Sequence, residues 1–193
     1  QKILVVATSG VRSAENGPLF IERIRKDFDV EVEVITGERE ATLIYRGVRQ
    51  SVDLGAQPSL IVDIGGGSNE CILATREQIL WKRSFDIGMA RVLERFHPSS
   101  PITSRQIQDI RQYYDEALLP LTQQVRDDPP QKLVGCAGTF ESVRSILTSE
   151  GFGASTPEDQ PCFEIPYDEF ARLHDRLLKS TTQEREQMRG LEL

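Results

Sequence analysis

Two periods of hydrophobic and polar residues alternate along the first third of the chain. Residues 2–8 form an apolar run, and residues 30–34 alternate valine with glutamate, a period of two that is typical of half-buried strands. Apolar residues recur at helical spacing in residues 18–28 and 38–50. The order strand, helix, strand, helix predicts a parallel sheet with crossover helices.

The pattern changes after residues 55–58, a stretch with glycine and proline that we interpret as a domain boundary. Three short apolar runs follow at residues 60–64, 70–74 and 79–85, and only turns separate them. Connections this short join antiparallel neighbours. The sequence therefore predicts two domains, residues 1–55 and residues 56–193.

Helices alternate with one more strand in the remainder of the chain. The predicted helices cover residues 89–96, a long segment that starts at Thr103 and is interrupted at Pro120, a segment from Gly138 to Thr148, and residues 167–179 and 183–188. Residues 132–137 read as a strand and residues 151–161 as a loop.

Three antiparallel strands followed by alternating helix and strand are the element order of a ribonuclease-H-like unit. This unit is the building block of the actin-like ATPase fold, so we expect an α/β fold with a mixed sheet. The argument is an analogy from topology and fixes no function.

Composition narrows the functional classes. The chain has 193 residues, of which 38% are hydrophobic, enough for one full domain or one and a half. Subtracting 30 acidic from 23 basic residues gives a net charge of −7, which disfavours a nucleic-acid or polybasic membrane surface. The longest apolar runs fall far short of the ~18 residues that span a bilayer, so we expect no membrane segment.

Cysteine and histidine usage points to a reducing cytoplasm. Cys71, Cys136 and Cys162 cannot all pair with one another and lack metal-ligand spacing, and we interpret Cys136 as a small buried hydrophobic residue. His97 and His174 are too few for a histidine-rich metal site and suit helix faces or the surface. The chain opens on Gln1 within an apolar run, and we expect it to be a piece of a longer protein.

The sharpest chemical feature is a triple-glycine turn between two acidic residues. Asp63 ends one predicted strand, Gly65, Gly66, Gly67 and Ser68 form the turn, and Glu70 enters the next strand. Glycines let a phosphate approach backbone N–H groups closely, and the two carboxylates could hold a divalent cation beside it. The alternative is a hairpin whose glycines only supply positive φ angles.

Other stretches offer weaker signals. Gly138 and Thr139 lie where a strand meets a helix, which favours an anion or simply a tight turn with a threonine cap. Glu38 and Glu40 fall in the first turn of a helix, where the helix dipole alone favours carboxylates, and nothing local selects one over the other. Arg12 follows a strand end and suits a phosphate contact or a surface ion pair.

Together these stretches resemble the exopolyphosphatase and guanosine pentaphosphate phosphohydrolase (Ppx/GppA) family of the actin-like superfamily. The resemblance rests on five segments in the order and spacing of that family: residues 7–12, 37–45, 62–70, 88–96 and 135–139. It covers almost the whole chain. It also implies that a phosphate loop precedes residue 1 and that a last strand follows residue 193.

The resemblance implies Mg²⁺-dependent hydrolysis of a terminal phosphoanhydride, in polyphosphate or in guanosine pentaphosphate. It assigns Glu40 as the catalytic base and places Asp63 and Glu70 near the metal and the attacking water. The residues that it assigns to phosphate are Arg12, Gly65, Gly66, Gly67, Ser68, Gly138 and Thr139.

Two other functions remain open at this stage. An actin-like kinase would share both glycine turns but does not explain residues 37–45. A catalytically silent module that binds guanosine tetraphosphate would keep the turns without turnover. We expect the partners to be polyphosphate or guanosine nucleotides, with no nucleic acid or membrane, and a homodimer is compatible with the family.

Overall fold

Two β-sheets organise the part of the chain that the computed structural model describes, residues 3–152 and 162–191. The six strands are β1 (Val5–Ala7), β2 (Val32–Val34), β3 (Ser59–Ile64), β4 (Asn69–Ala74), β5 (Ile79–Phe85) and β6 (Lys132–Cys136). β1 and β2 form one parallel pair, and the other four strands form a sheet in the order β5-β4-β3-β6. The protein is therefore a mixed α/β structure.

Helices connect and cover these strands. They are α1 (Ser9–Ser13), α2 (Gly17–Phe28), α3 (Gly37–Ser51), α4 (Met89–Phe96), α5 (Ser104–Ala117), α6 (Leu119–Asp127), α7 (Gly138–Ser149), α8 (Tyr167–Lys179) and α9 (Thr182–Glu186). Among the described residues, none of these helices has both the length and the apolarity needed to traverse a bilayer.

The larger sheet combines both kinds of pairing. β4 pairs antiparallel with β3 and with β5, as expected for strands joined by short turns. β6 returns after the three helices α4, α5 and α6 and pairs parallel with β3. β3 therefore lies between an antiparallel and a parallel neighbour, and the loops at its C-terminal end meet the beginning of α7.

The sequence prediction differs from the structure mainly near the beginning of the chain. β1 and β2 have three residues each, shorter than predicted. The turn predicted at Ser9 and Gly10 is instead the short helix α1, in which Arg12 N donates to Thr8 O at 2.9 Å. A helix of five residues is too short to show a periodic apolar face. Of the loop predicted at 151–161, residues 153–161 lie outside the described residues.

Local capping fixes where the later helices begin and end. Thr103 forms a capping box with Gln106 at the start of α5. α5 ends at Ala117, and α6 carries Pro120 in its first turn, where proline costs no helical hydrogen bond. The interruption predicted at Pro120 is confirmed.

α3 packs on one face of the four-stranded sheet. Their joint core consists of Ala41, Tyr45, Leu54, Ile61, Ile72 and Ala74, all buried. The Tyr45 hydroxyl donates to the carbonyls of Thr75 and Arg76 at 3.1 and 3.2 Å. This core crosses the boundary predicted at residue 55, and the division into two domains stays a prediction.

Two further cores cover the rest of the sheet and the last helices. On the opposite sheet face, Cys71, Phe85 and Ile87 pack against residues of α5 and α6. A third cluster joins α7 to α8 through Val143, Ile146, Leu147 and Leu173. The four-stranded sheet is thus covered on both faces, which holds the ends of its strands in fixed positions.

Replacing Ile72 with alanine in the intact protein is expected to lower the free energy of unfolding by about 2–5 kcal/mol, because it opens a cavity in a fully buried site. Leu80→Ala on the adjacent strand is the matched control, since Leu80 is 39% exposed, and its cost should stay below about 1 kcal/mol. Urea denaturation measures both. Equal losses would contradict the placement of the core.

Candidate active site

A row of polar residues crosses all four strands of the larger sheet. Ser84 on β5 pairs with Glu70 on β4, Glu70 pairs with Asp63 on β3, and Asp63 pairs with Cys136 on β6. Directly paired residues share one face of a sheet. That face is the one that α3 covers, because Ile61 lies two residues before Asp63 and belongs to the α3 core.

Glu40 lies on α3, above this row. α3 begins after Thr36, whose side chain accepts from Arg39 N. Arg12 Nη1 donates to Glu40 Oε2 at 3.3 Å and to the carbonyl of Ile35 at 2.8 Å. The two side chains are 24% and 19% exposed. The structure therefore brings together four of the predicted site residues: Arg12, Glu40, Asp63 and Glu70.

Burial and neighbouring negative charge raise the pKa values of the two sheet carboxylates, Asp63 and Glu70. Burial raises the pKa of Asp63 above its usual value, the negative charge of Glu40 raises it further, and a hydrogen bond from Cys136 acts in the opposite direction. Burial also raises the pKa of Glu70, against hydrogen bonds from Ser84 and Ser68, and the charges of Glu40 and Asp63 add to the increase. The site thus concentrates negative charge that a cation would stabilise.

Cys136 is more than a small hydrophobic residue in this setting. Burial, followed by the charge of Asp63, raises the pKa of its thiol to about 12. The thiol stays protonated at neutral pH and is a weak donor beside Asp63, with a sulfur contact of 3.5 Å to the carbonyl of Val62. All three cysteines are free.

Close approach of protein atoms explains Gly67, and positive φ angles explain none of the three glycines in the turn. The described glycines with positive φ are Gly55, Gly151 and Gly190. A Cβ at Gly67 would instead lie 2.5 Å from Ser9 Oγ, and one at Gly88 would lie 2.4 Å from the carbonyl oxygen of Gly66. Gly67 is thus packed against α1 and Gly88 against the turn, whereas a Cβ at Gly66 would meet no atom within 4 Å.

The hydrogen bonds of the turn orient its peptide groups. The carbonyls of Gly65 and Gly66 accept from Met89 N at 3.0 Å and Ala90 N at 2.9 Å, and the carbonyl of Gly67 accepts from Arg91 Nε at 2.7 Å. In a trans peptide the carbonyl and the following N–H point in opposite directions. The N–H groups of Gly66, Gly67 and Ser68 therefore point away from the partners of these carbonyls.

Two of the predicted phosphate-binding residues behave differently. The Gly65 N–H donates to the carbonyl of Ser68 at 3.0 Å and closes the turn, so it is not free as expected. The Ser68 side chain is buried, and its hydroxyl donates a hydrogen bond to the Glu70 carboxylate. Only the backbone N–H of Ser68 is left for an anion.

The second glycine motif lies beside the first. The Thr139 hydroxyl donates to the carbonyl of Ile64 at 3.3 Å, which ties the beginning of α7 to the end of β3. Gly138 and Thr139 contribute the first N–H groups of α7, which have no partner within the helix. Ala137 precedes them with φ 68° and ψ −177°, a strained conformation that is typical of functional sites.

Three neighbours of the site escaped the sequence analysis. Ser84 and Cys136 flank the two acids, and Ser9 lies buried against Gly67 with a hydroxyl that has no hydrogen-bond partner among the described residues. Only the strand register could have placed Ser84 and Cys136, whereas Ser9 stood within a motif already noted. The histidines are exposed, as predicted for surface or helix-face residues: His97 ends α4 in the left-handed conformation, and His174 on α8 stacks on Phe170.

The residues present suit a hard divalent cation held partly by water. Within residues 3–152 and 162–191, no group of three or more His, Cys, Asp or Glu side chains has the arrangement of a metal site. Mg²⁺ usually binds through one or two carboxylates together with water and substrate phosphates. Asp63 and Glu70 supply such a pair, and their raised pKa values show that the pair lacks a compensating positive charge.

Comparison with known proteins gives this arrangement a family. The sequence model of the Ppx/GppA phosphatase family matches residues 1–193. The chain belongs to this family. Among solved structures, an exopolyphosphatase from Cytophaga hutchinsonii is 37% identical and superimposes with a TM-score of 0.93 over 100% of this chain. The chain spans 62% of that protein.

A more distant family member has the same fold. The Ppx/GppA protein of Aquifex aeolicus is 24% identical, with a TM-score of 0.79 over 100% of this chain, and the chain spans 60% of its length. Less than two thirds of each relative is therefore represented in this chain.

Asp63→Asn in the intact protein is expected to raise Tm at pH 7–8 without divalent cations. The folded-state pKa of Asp63 is raised, so the folded state binds more protons than the unfolded state, and stability falls as pH increases through the usual carboxyl pKa of about 4. The neutral amide avoids this loss. The gain should disappear at low pH, where the wild-type carboxyl is protonated.

The matched control for this measurement is Asp53→Asn. Asp53 is exposed and pairs with Arg76 at 2.7 Å, which lowers its pKa, so removing its charge should leave Tm unchanged or lower. Thermal scans from pH 3 to 8 test both variants. A lower Tm for Asp63→Asn at pH 8 would show that the Asp63 charge is compensated.

Proposed function

We propose that the intact protein hydrolyses the terminal phosphoanhydride of inorganic polyphosphate or guanosine pentaphosphate, with Mg²⁺, and releases phosphate. The observation that carries this proposal is the meeting of three carboxylates, Glu40, Asp63 and Glu70, beside the triple-glycine turn. Membership of the Ppx/GppA phosphatase family and the likeness to an exopolyphosphatase support it.

Glu40 is our choice for the general base. Glu70 is 2% exposed and accepts from Ser84, and Asp63 is flanked by Cys136 and Glu70 in the sheet. Glu40 stands outside the sheet on α3, where Arg12 donates to its carboxylate at 3.3 Å, and this carboxylate would accept the proton from the attacking water. Glu38, the other candidate, is 56% exposed and faces Lys82 instead.

The phosphate groups would be held by backbone and guanidinium donors. The N–H groups of Gly66, Gly67 and Ser68 and those of Gly138 and Thr139 come from two neighbouring turns, and the α7 dipole also favours an anion. Both hydrogen bonds of Arg12 to described residues use Nη1, which leaves Nε and Nη2 for phosphate oxygens. Phosphoryl transfer depends on such positioning and charge neutralisation more than on covalent chemistry.

Asp63 and Glu70 would hold the Mg²⁺ ion, which would neutralise charge on the phosphates when bound. Their carboxylates face the same side of the sheet as Glu40, so the general base and the cation would lie on one side of the substrate. The pairing of β3 with β4 would hold these two acids at a constant separation for the cation.

We also propose a fold class and a division into two domains. We place the four-stranded sheet in the ribonuclease-H-like class of the actin-like ATPases, with residues 1–55 in a first domain and residues 56–193 in a second. The β5-β4-β3-β6 order with one parallel partner supports this assignment.

Glu40→Gln in the intact protein is expected to reduce phosphate release by about 100–10,000-fold, the usual contribution of a general base. Substrate binding should persist, because the phosphate donors are unchanged. The matched control is Glu38→Gln, two positions earlier on the same helix, which should keep wild-type turnover. Phosphate release and equilibrium binding measure the two effects, and equal turnover by both variants would overturn the assignment of the base.

A second experiment identifies the reaction. The intact protein is expected to release phosphate from polyphosphate or guanosine pentaphosphate when Mg²⁺ is present and no acceptor is added. Phosphate transfer only in the presence of an acceptor would indicate a kinase instead. Tight binding of guanosine tetraphosphate without any phosphate release would indicate a silent regulatory module.

A further inference from the structure

Ser84 makes a short polar contact to the acidic row. Its hydroxyl donates to Glu70 Oε1 at 2.6 Å, the range of a charge-assisted O–H···O⁻ bond. Glu70 is 2% exposed, so this bond is shielded from water and holds the carboxylate in one orientation. A carboxylate has about four lone-pair sites, of which the hydroxyls of Ser84 and Ser68 use two, and a bound cation would use another.

Ser84 also contacts the beginning of the helix that carries Glu40. A Cβ at Gly37 would lie 2.3 Å from both the Cβ and the Oγ of Ser84. Gly37 is the first residue of α3 and stands three positions before Glu40. The distance between α3 and β5 is therefore set by a glycine against a small side chain.

We propose that Ser84 is a positioning residue with two effects. It orients the Glu70 carboxylate toward a divalent cation, and it sets the packing distance between α3 and the sheet. The inference rests on the proposed function, in which Asp63 and Glu70 hold that cation. Outer-shell partners of this kind typically change metal affinity by about 10–100-fold when they are removed. Neither the glycine motifs nor the acids themselves point to this role.

The test is the affinity of the intact protein for Mn²⁺, measured without substrate by the loss of the free-ion electron paramagnetic resonance signal. Ser84→Ala keeps the Cβ and removes the hydroxyl. It is expected to weaken Mn²⁺ binding by about 10–100-fold and to raise the Mg²⁺ concentration for half-maximal phosphate release similarly. The KM for the phosphate substrate at saturating Mg²⁺ should stay unchanged.

Variants at Gly37 separate the two parts of the role. Gly37→Ala forces the side chains apart, and it should lower Tm as well as Mn²⁺ affinity. Gly37→Ala combined with Ser84→Gly removes the overlap but not the need for a hydroxyl. Its Tm should recover toward that of Ser84→Gly alone, while Mn²⁺ affinity stays as low as in Ser84→Ala.

Ser149→Ala is the matched control, because the Ser149 hydroxyl bonds only to the carbonyls of Ile146 and Arg189 among the described residues, at the far end of α7. It should bind Mn²⁺ as the wild type does. Wild-type affinity in Ser84→Ala, together with lost affinity in Glu70→Gln, would refute the positioning role and leave the cation site intact.

Other outcomes separate this inference from the proposed function. A wild-type protein that binds Mn²⁺ but releases no phosphate would refute the hydrolase proposal, and the comparison of Mn²⁺ affinities would still decide the role of Ser84. Absence of Mn²⁺ binding in the wild type would refute the inference and the cation site together.

Discussion

The register of the β3-β4 hairpin is the constraint on which the candidate site depends. The triple-glycine turn sets Asp63 opposite Glu70, and a slip of one residue between the two strands would put their carboxylates on opposite faces of the sheet. That slip is opposed by Ile61 and Ile72, which pair on the same two strands and are fully buried under α3. The core that stabilises the sheet is therefore also what keeps the acids together.

The site carries a cost in stability that its surroundings partly offset. Asp63 and Glu70 are desolvated beside the charge of Glu40, and each has a raised pKa. Ser84, Ser68, Cys136 and Arg12 each supply a donor or a positive charge to one member of the group, and none of them neutralises the two sheet carboxylates. A group of this kind is expected where a cation and a polyanion are to be bound.

More of the fold than of the candidate site could be predicted from the sequence. Most helices and strands were found because their apolar periods and capping residues are local properties, as in α5 with Thr103 and Pro120. The short helix α1 was missed because five residues carry no period. The sequence left open whether the glycines at 65–67 supply positive φ angles or let a phosphate approach. None of the three has a positive φ, a side chain at Gly67 would collide with Ser9, and the approach of a phosphate stays a prediction.

By itself, the sequence determined the order of the elements, the antiparallel hairpins and the placement of two acids around a glycine turn, since these follow from residues near one another in the chain. Tertiary structure alone decided that Glu40 rather than Glu38 meets Asp63 and Arg12. It also decided that Ser84 meets Glu70. Counting back from the turn at 75–78 would place Arg83 opposite Glu70, but a bulge at Leu73 and Ala74 shifts the register by one residue. Such shifts depend on how helices and strands pack, which no local period encodes.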